Sequence, residues 1–352
     1  MSKKSLLLIQ IVTVAAFART ARAEEPAAPP PEPAPVPAPV LAAPEAAAPA
    51  PAATATASAN ITPAVAPAPP PPPYSLPWQL RPVAAANVLR SDTAVAFYDN
   101  GMGATGSTVA TMLLGSYKVT PSLAPMVRLG FVQNDAPAAG MDGTSFINPV
   151  VGATYAAKVG AIRWAAFLGA TVPIGQGAGN MPDAGAALAN TAGIRARSAM
   201  DNAMFAVNYF TAIAGGGVAY VDHKLTVQAE ATLLQLFRVR GDMAASATDS
   251  ARTNSTAGIH AGYFIIPMLS VGGEFRYQRW LTTPTQLNTM GAKVDIPGIA
   301  KDTMTVAIGP RLHFQVSKGL FLRPGIAYAR GLDKPLTDAS YNMVQVDVPF
   351  YF

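Results

Sequence analysis

The chain has 352 residues, of which 50% are hydrophobic and only 13% are charged. Soluble domains usually carry about 25% charged residues, so this composition argues against an ordinary water-exposed surface. There is no cysteine, which excludes disulfides, thiolate metal sites, a catalytic Cys and the lipid-bearing Cys of a lipoprotein. The sequence gives no indication of a cofactor.

The first 23 residues have the order of a secretory signal peptide. Lys3 and Lys4 precede a short apolar run, and Ala21-Arg22-Ala23 forms an A-x-A cleavage site with Ala21 and Ala23. The apolar run is too short for a spanning helix, which needs about 20 residues. The removed segment holds four of the 25 basic residues and none of the 20 acidic ones, so the mature net charge is +1. Such a balance gives no support for a nucleic-acid partner.

Residues 24–77 form a Pro/Ala-rich region with 19 of the 33 prolines. Proline runs favour polyproline II, which has no internal hydrogen bonds, and the region has almost no large apolar side chains for a core. The sequence therefore predicts a disordered periplasmic tether. Whether the tether is a plain linker or binds a periplasmic or cell-wall partner stays open.

The sequence pattern of residues 78–352 predicts an all-β domain, a transmembrane antiparallel up-and-down β-barrel of about twelve strands. Segments with a two-residue period recur, and the last one is the clearest: Val344, Val346 and Val348 alternate with Gln345 and Asp347. The predicted strands are 90–99, 107–119, 124–134, 147–157, 162–173, 212–222, 224–239, 255–265, 269–282, 302–316, 319–331 and 341–352.

Connections between these segments alternate between short and long. Gaps after the even-numbered segments are a few residues, whereas others extend over 174–211 and 283–301. Short periplasmic turns and long outer loops are typical of outer-membrane barrels, whose apolar face meets lipid. A closed barrel leaves no unpaired strand edge in hydrocarbon. We therefore expect the protein in the bacterial outer membrane.

Parity places a set of polar side chains on the lumen face. They are Arg128, Arg163, Glu230, Glu274, Arg276, Arg311, His313, Arg323, Gln345 and Asp347. Two interpretations remain open, a polar path with slight anion preference and a set of salt bridges that fills the lumen. Because an unpaired buried charge is costly, we expect the arginines to pair with Glu230, Glu274 and Asp347.

The longest outer loop contains a helical pattern within 198–211. Helical spacing is shown by Met200, Ala203, Met204, Val207 and Phe210, and Ser198 or Asp201 could cap its start. The segment could act as a plug, pack on the barrel rim, or belong to a strand that begins at Phe205. The sequence does not decide among these.

Two short stretches resemble known families. Val348, Phe350 and Phe352 end an alternating strand and resemble the C-terminal signal that the outer-membrane assembly machinery reads. The hairpin from Asn148 to Gly175 resembles a segment of outer-membrane transporters associated with phenol meta-pathway degradation, with Ile-Asn-Pro and Pro-Ile-Gly in place of that family's Gly-Asp-Pro and Pro-Thr-Gly. This resemblance implies a barrel of about twelve strands that passes small, hydrophobic molecules.

The sequence thus favours a channel that passes small solutes by passive diffusion. The alternative is a structural barrel with a packed lumen, which tethers the membrane to periplasmic partners. No catalytic motif or metal-ligand spacing of histidines is present, so we do not expect an enzyme.

Overall fold

The computed structural model describes residues 74–99, 104–138, 141–241, 249–282, 285–287, 293–295, 301–334 and 336–352. The predicted signal peptide with Ala21 and Ala23, and the tether up to residue 73, lie outside the described residues. The described part contains the predicted barrel. Among these residues, no helix combines the length and the apolar character needed to cross a membrane.

The described chain forms sixteen strands and two helices. The strands are β1 (Val88–Asp99), β2 (Thr105–Ser116), β3 (Leu123–Asp135), β4 (Gly143–Val159), β5 (Ile162–Thr171), β6 (Tyr209–Asp222), β7 (Leu225–Arg238), β8 (Ala251–Ile266), β9 (Leu269–Trp280), β10 (Thr285–Leu287), β11 (Lys293–Asp295), β12 (Asp302–Leu312), β13 (Phe314–Ser317), β14 (Leu320–Leu322), β15 (Gly325–Gly331) and β16 (Asn342–Tyr351). The helices, α1 (Ala184–Ala196) and α2 (Asn202–Phe205), both lie between β5 and β6.

The sheet closes on itself into a twelve-strand barrel. Each of β1 to β9 pairs antiparallel with the next, the order continues through β12, β15 and β16, and β16 pairs with β1. The short strands β13 and β14 extend β12 and β15 and form three residue pairings, which begin with Phe314 opposite Leu322. Pro324 lacks an N–H, which accounts for the interruption between β14 and β15. The predicted fold class is therefore confirmed.

Tight turns join the strands at one end of the barrel. Two-residue turns follow β4, β6, β8 and β13, and a six-residue turn follows β2. Gly160 and Gly319 occupy positive φ values of 60° and 82° in these turns, which glycine adopts without steric cost. We call this end the short-turn end and the other the long-loop end. In barrels of this kind, the short turns face the periplasm.

The outward face of the barrel is apolar. In β15, the side chains alternate between buried and exposed along the whole strand. Large exposed side chains on the wall include Leu113, Val127, Phe131, Val151, Trp164, Leu168, Val218, Leu233, Ile259, Phe275, Val306, Ile308, Ile326 and Tyr328. A closed hydrogen-bonded cylinder with this exterior is the architecture that hydrocarbon requires. The protein is therefore a β-barrel of the bacterial outer-membrane class.

Candidate channel lumen

Small side chains form much of the inner wall. Ala94, Ala96, Ala110, Ala307 and Ala329 point inward and are essentially inaccessible to solvent. Eight-stranded barrels are narrow enough for wall side chains to fill, whereas a wider barrel with small inward residues leaves space. In this protein, two connecting segments of the chain occupy that space.

The first filler is an inner segment, which we define as Tyr74–Val83. All residues from Tyr74 to Leu80 are buried, as is Val83. The Val83 N–H donates to the Tyr74 hydroxyl at 2.9 Å, so the two ends of the segment meet. Tyr74 and Val83 pack with Ala219 and Val221 near the short-turn end. The segment thus loops into the lumen and leaves again on the same side.

Two wall glutamates bind the backbone of the inner segment. Glu274 accepts hydrogen bonds from the N–H groups of Trp78 (2.8 Å) and Gln79 (3.1 Å). Glu230 accepts one from the N–H of Arg81 at 2.5 Å and also forms an ion pair with the Arg81 guanidinium. Because the segment has no helix or strand partner, these carboxylates satisfy donors that would otherwise be buried without a partner.

Two wall arginines bind the carbonyl groups of the same segment. Arg311 donates to the Leu76 carbonyl at 3.2 Å, and Arg90 donates to the Pro77 carbonyl at 3.1 Å. Asp347 lies between them and accepts from both guanidinium groups at 2.6 Å. The inner segment is therefore held by charged side chains of opposite sign on its two kinds of backbone group.

The sequence analysis places Tyr74 to Pro77 in the tether, but these four residues contact the barrel wall. A signal for this was present. Tyr74, Leu76, Trp78 and Leu80 bring large apolar side chains at every second position directly after the proline run. The strand β1 then begins only at Val88.

The second filler is an outer segment, which we define as residues 175–208 between β5 and β6. Asp183 caps α1 by accepting from the Ala186 N–H at 2.7 Å. After α1, residues 196–199 and 201–205 are buried inside the barrel. The outer segment thus packs within the lumen and not on the rim.

Two of the helical predictions for 198–211 are wrong. The helix there is only the single turn α2, and neither Ser198 nor Asp201 caps it with its side chain. Phe210 belongs to β6 and is exposed on its outer side. Ser198 and Ala199 adopt positive φ values of 55° and 54°, which ends the preceding helix and turns the chain into the barrel.

Arg197 anchors the outer segment to the wall. It is fully buried and forms a bidentate pair with Asp92 of β1, with both contacts at 2.7 Å. Its Nε donates to Asp201 at 2.8 Å, and Arg128 of β3 forms a second ion pair with Asp201. Burial favours the neutral form of Asp201, but Arg128 and Arg197 outweigh this and hold its pKa well below the ordinary value.

A bulge in β4 holds the base of the outer segment. The register between β3 and β4 shifts after Arg128, next to Asn148 and Pro149. The Asn148 amide donates to the carbonyls of Ala206 (3.0 Å) and Tyr209 (3.2 Å) and accepts from the Gly175 N–H at 2.9 Å. The Ile-Asn-Pro motif therefore joins the two ends of the outer segment.

Glu274 and Arg276 connect the two fillers. The Arg276 Nε donates to Glu274 at 2.5 Å, and its other nitrogens reach Gln345 (2.7 Å) and Ser198 of the outer segment (3.4 Å). Glu274 also holds the inner segment, as described above. This pair of wall residues on β9 therefore contacts both fillers.

The other predicted lumen residues lie nearer to the short-turn end. The Arg163 guanidinium lies 4.9 Å from the Tyr74 ring centroid, and Arg323 lies over Tyr351 at 5.2 Å. His313 Nε2 is 2.8 Å from the Ser270 hydroxyl. Within the described part of the chain, neither Arg163 nor Arg323 forms an ion pair with an acidic side chain. The polar interior therefore divides into a paired centre and a less paired short-turn end.

The C-terminal strand completes the barrel. Phe350 pairs with Leu89 across the closure, and the Phe350 and Phe352 rings are 6.3 Å apart. Val348, Phe350 and Phe352 share the outward parity of Val346. Recognition of these residues by the assembly machinery remains a prediction.

A cavity of about 230 Å³ opens beside α1 at the long-loop end. It is lined by Tyr98, Asn134, Ala136, Pro137, Ala138, Met141, Leu188, Thr191, Ala192, Arg195 and Tyr341. The Tyr98 and Tyr341 rings stack in parallel with centroids 4.9 Å apart. In the part of the chain that the structure covers, no cluster of three or more His, Cys, Asp or Glu could hold a metal ion.

Comparison with known proteins found matches among solved structures. No protein-family model and no curated protein matches it. An outer-membrane channel of Pseudomonas putida F1 is similar at 12% identity with a TM-score of 0.47, over 78% of this chain and 98% of that one. The NanC porin is similar at 10% identity with a TM-score of 0.42, over 74% of this chain and 100% of that one. The KdgM porin is similar at 10% identity with a TM-score of 0.40, over 75% of this chain and 99% of that one.

Proposed function

We propose that the protein is an occluded channel, which passes small, partly apolar solutes by passive diffusion when its two fillers withdraw. The observation that carries this proposal is the origin of the fillers. Both lie outside the barrel strands, one before β1 and one between β5 and β6, and much of the wall around them is Ala apart from the charged side chains that hold them. Withdrawal of such segments would leave a continuous bore without unfolding any strand.

The contact between the inner segment and the wall supports a displaceable filler. The Trp78 indole N–H, the Gln79 amide and both nitrogens of His260 are buried without a protein hydrogen-bond partner. A buried polar group without a partner costs about 1–3 kcal/mol. The segment is therefore held by a few strong charged contacts and is less well satisfied elsewhere.

Planar-bilayer conductance tests the proposal directly. One variant replaces residues 178–204 by a short Gly-Ser linker. Asn148 contacts Gly175 and Ala206, so the two ends of the linker stay close together. A second deletes residues 74–83, and a third combines the two. We expect low conductance for the mature chain and the highest for the combined variant. A combined variant that folds and inserts but does not conduct would contradict the proposal.

The second candidate function is a structural barrel whose tether links the membrane to periplasmic partners. Two buried ion pairs favour it because they make the lumen a packed core: Arg197 with Asp92 joins the outer segment to the wall, and Arg276 with Glu274 lies on the wall where both fillers meet it. Deletion of residues 24–73 leaves the inner segment in place and removes the tether. Loss of envelope integrity in that variant, together with a non-conducting combined variant, would favour this candidate.

A further inference from the structure

We propose that the cavity beside α1 is a binding site for a small monocarboxylate with an apolar body. The proposal concerns binding at the long-loop end and does not depend on whether the barrel conducts. It is carried by the charge and the hydrogen-bonding state of the residues that line the cavity.

The cavity lining contains one cationic side chain and no carboxylate. Arg195 is the last basic residue of α1 and is half-buried at the cavity. None of the residues that line the cavity is Asp or Glu, and no ion pair of Arg195 occurs among the described residues. Asp135 and Asp142 adjoin lining residues in sequence but are not part of the lining. Asp135 accepts from the Ser107 hydroxyl at 3.4 Å and the Gln133 amide at 3.5 Å, and Asp142 accepts from the Ala136 N–H at 2.8 Å.

A second donor is available in the same cavity. Asn134 is buried, and its Oδ1 accepts from the Tyr98 hydroxyl (3.0 Å) and from the Thr108 hydroxyl (2.8 Å). These two bonds fix the orientation of the amide. Its NH₂ group then has no acceptor among the described residues, although the side chain lines the cavity. An amide donor and a guanidinium both select for an anion.

The remaining walls select for an apolar body. Pro137, Met141, Leu188 and Ala192 contribute hydrocarbon, and the stacked pair of Tyr98 and Tyr341 contributes an aromatic surface. Burial raises the pKa of Tyr341 to about 12, so its hydroxyl is neutral and keeps its proton at physiological pH. One cation matches a single negative charge, and the planar guanidinium fork matches a carboxylate.

Gly106 allows the floor of the cavity to form. A Cβ at this position would lie 2.6 Å from the Tyr98 ring and 2.9 Å from Pro137. The close approach of these two lining residues thus depends on the absence of a side chain there. The cavity is a consequence of this local packing and not only of the position of α1.

Isothermal titration of the mature full-length protein in detergent with hexanoate tests the proposal, with 1-hexanol as the uncharged analogue. We expect saturable hexanoate binding that weakens at least tenfold in R195Q, while binding of 1-hexanol changes little. Thr191→Trp, an exposed residue of α1 that lines the cavity, fills the space and should abolish binding of both ligands.

Arg330→Gln is the matched control, because Arg330 is exposed on the barrel and outside the cavity lining. It should bind hexanoate as the unmodified protein does. Absence of saturable hexanoate binding to the unmodified protein would overturn the proposal. Equal weakening in R195Q and R330Q would also overturn it, as would full binding in T191W.

Discussion

At the residue scale, Arg197 links the outer segment to the barrel wall through a buried charge pair. Its guanidinium contacts Asp92 and Asp201, which lie on β1 and just before α2. Removal of one partner from a buried pair leaves an uncompensated charge, which is costly in a low-dielectric interior. Arg197 thus docks the middle of the outer segment, together with Arg128 and Asn148.

We predict that Arg197→Gln releases the outer segment from the lumen. The loss of two buried ion pairs should weaken docking by about 3 kcal/mol, the lower end of the range for a broken buried pair. Hydrogen exchange in α1 and α2 measures the release. Asp92→Asn combined with Arg197→Gln should restore part of the protection, since it removes one of the orphaned carboxylates. Unchanged exchange in the single variant would contradict this role.

The low pKa of Asp201 predicts how docking depends on pH. A carboxyl group whose pKa is lower in the docked state stabilises that state fully above its ordinary pKa, and this stabilisation is lost as the pH falls through the docked-state value. Hydrogen exchange in α2, corrected for the intrinsic rate, should therefore be constant from pH 8 to about pH 4.5. Release of the segment between pH 7 and pH 5 would show that another group controls it.

The residue pairs inside the lumen show why sequence analysis found only part of this site. Inward parity identified Glu274, Arg276, Arg311 and Asp347 because a strand fixes the direction of each side chain. Arg197 has no such rule, since it follows a helix in a long connection. Its partner Asp92 is 105 residues away in the chain, so a local sequence pattern does not predict that the two side chains meet.

At the element scale, the inner segment is a short piece of irregular chain held between glutamates and arginines. Several wall glycines lie directly against it. A Cβ on Gly262 would meet the Ser75 side chain at 2.2 Å, whereas a Cβ on Gly273 would find no atom closer than 3.8 Å. Gly262 on β8 faces the lumen, whereas Gly273 on the neighbouring β9 has the outward parity of Val271, so Gly273 serves as a control that does not face the inner segment.

We predict that Gly262→Ala displaces the inner segment and that Gly273→Ala does not. The new methyl group at 262 occupies the place of Ser75, and the segment must move because the strand backbone cannot. Limited proteolysis after residue 74 should accelerate several-fold in G262A alone. Equal protection in the two variants would mean that the segment is not seated against β8.

The two helices of the outer segment also show a limit of pattern reading. Eight of the thirteen residues of α1 are Ala or Gly, so it has no stripe of large apolar residues of the kind that marks a helix packed on one side of a core. It lies inside a barrel and meets protein on several faces. The strands, by contrast, have lipid on one side and protein on the other. Their side chains therefore alternate with a two-residue period, which predicts the strands from the sequence.

At the scale of the whole molecule, the solvent on the outside determines what the sequence reveals. Hydrocarbon selects apolar side chains at alternate positions of every strand and a closed hydrogen-bonded ring, and both were predicted. The interior is protein against protein. The fillers must give their buried polar groups hydrogen-bond partners, but many different arrangements of the chain would do so. The sequence therefore does not predict which arrangement forms.

Reversible locking of the inner segment tests the central claim that connecting segments block the bore. Ser75 and Ser270 have hydroxyl oxygens 3.4 Å apart, and the absence of native cysteine allows the double variant Ser75→Cys with Ser270→Cys to form a single disulfide. The measurement is single-channel conductance of this variant in the background that carries the linker at 178–204, before and after a reductant is added. We predict a closed barrel when oxidised and an open one when reduced, with Ser75→Cys alone insensitive to the reductant. Equal conductance in the two redox states, with the disulfide verified by mass, would contradict the account.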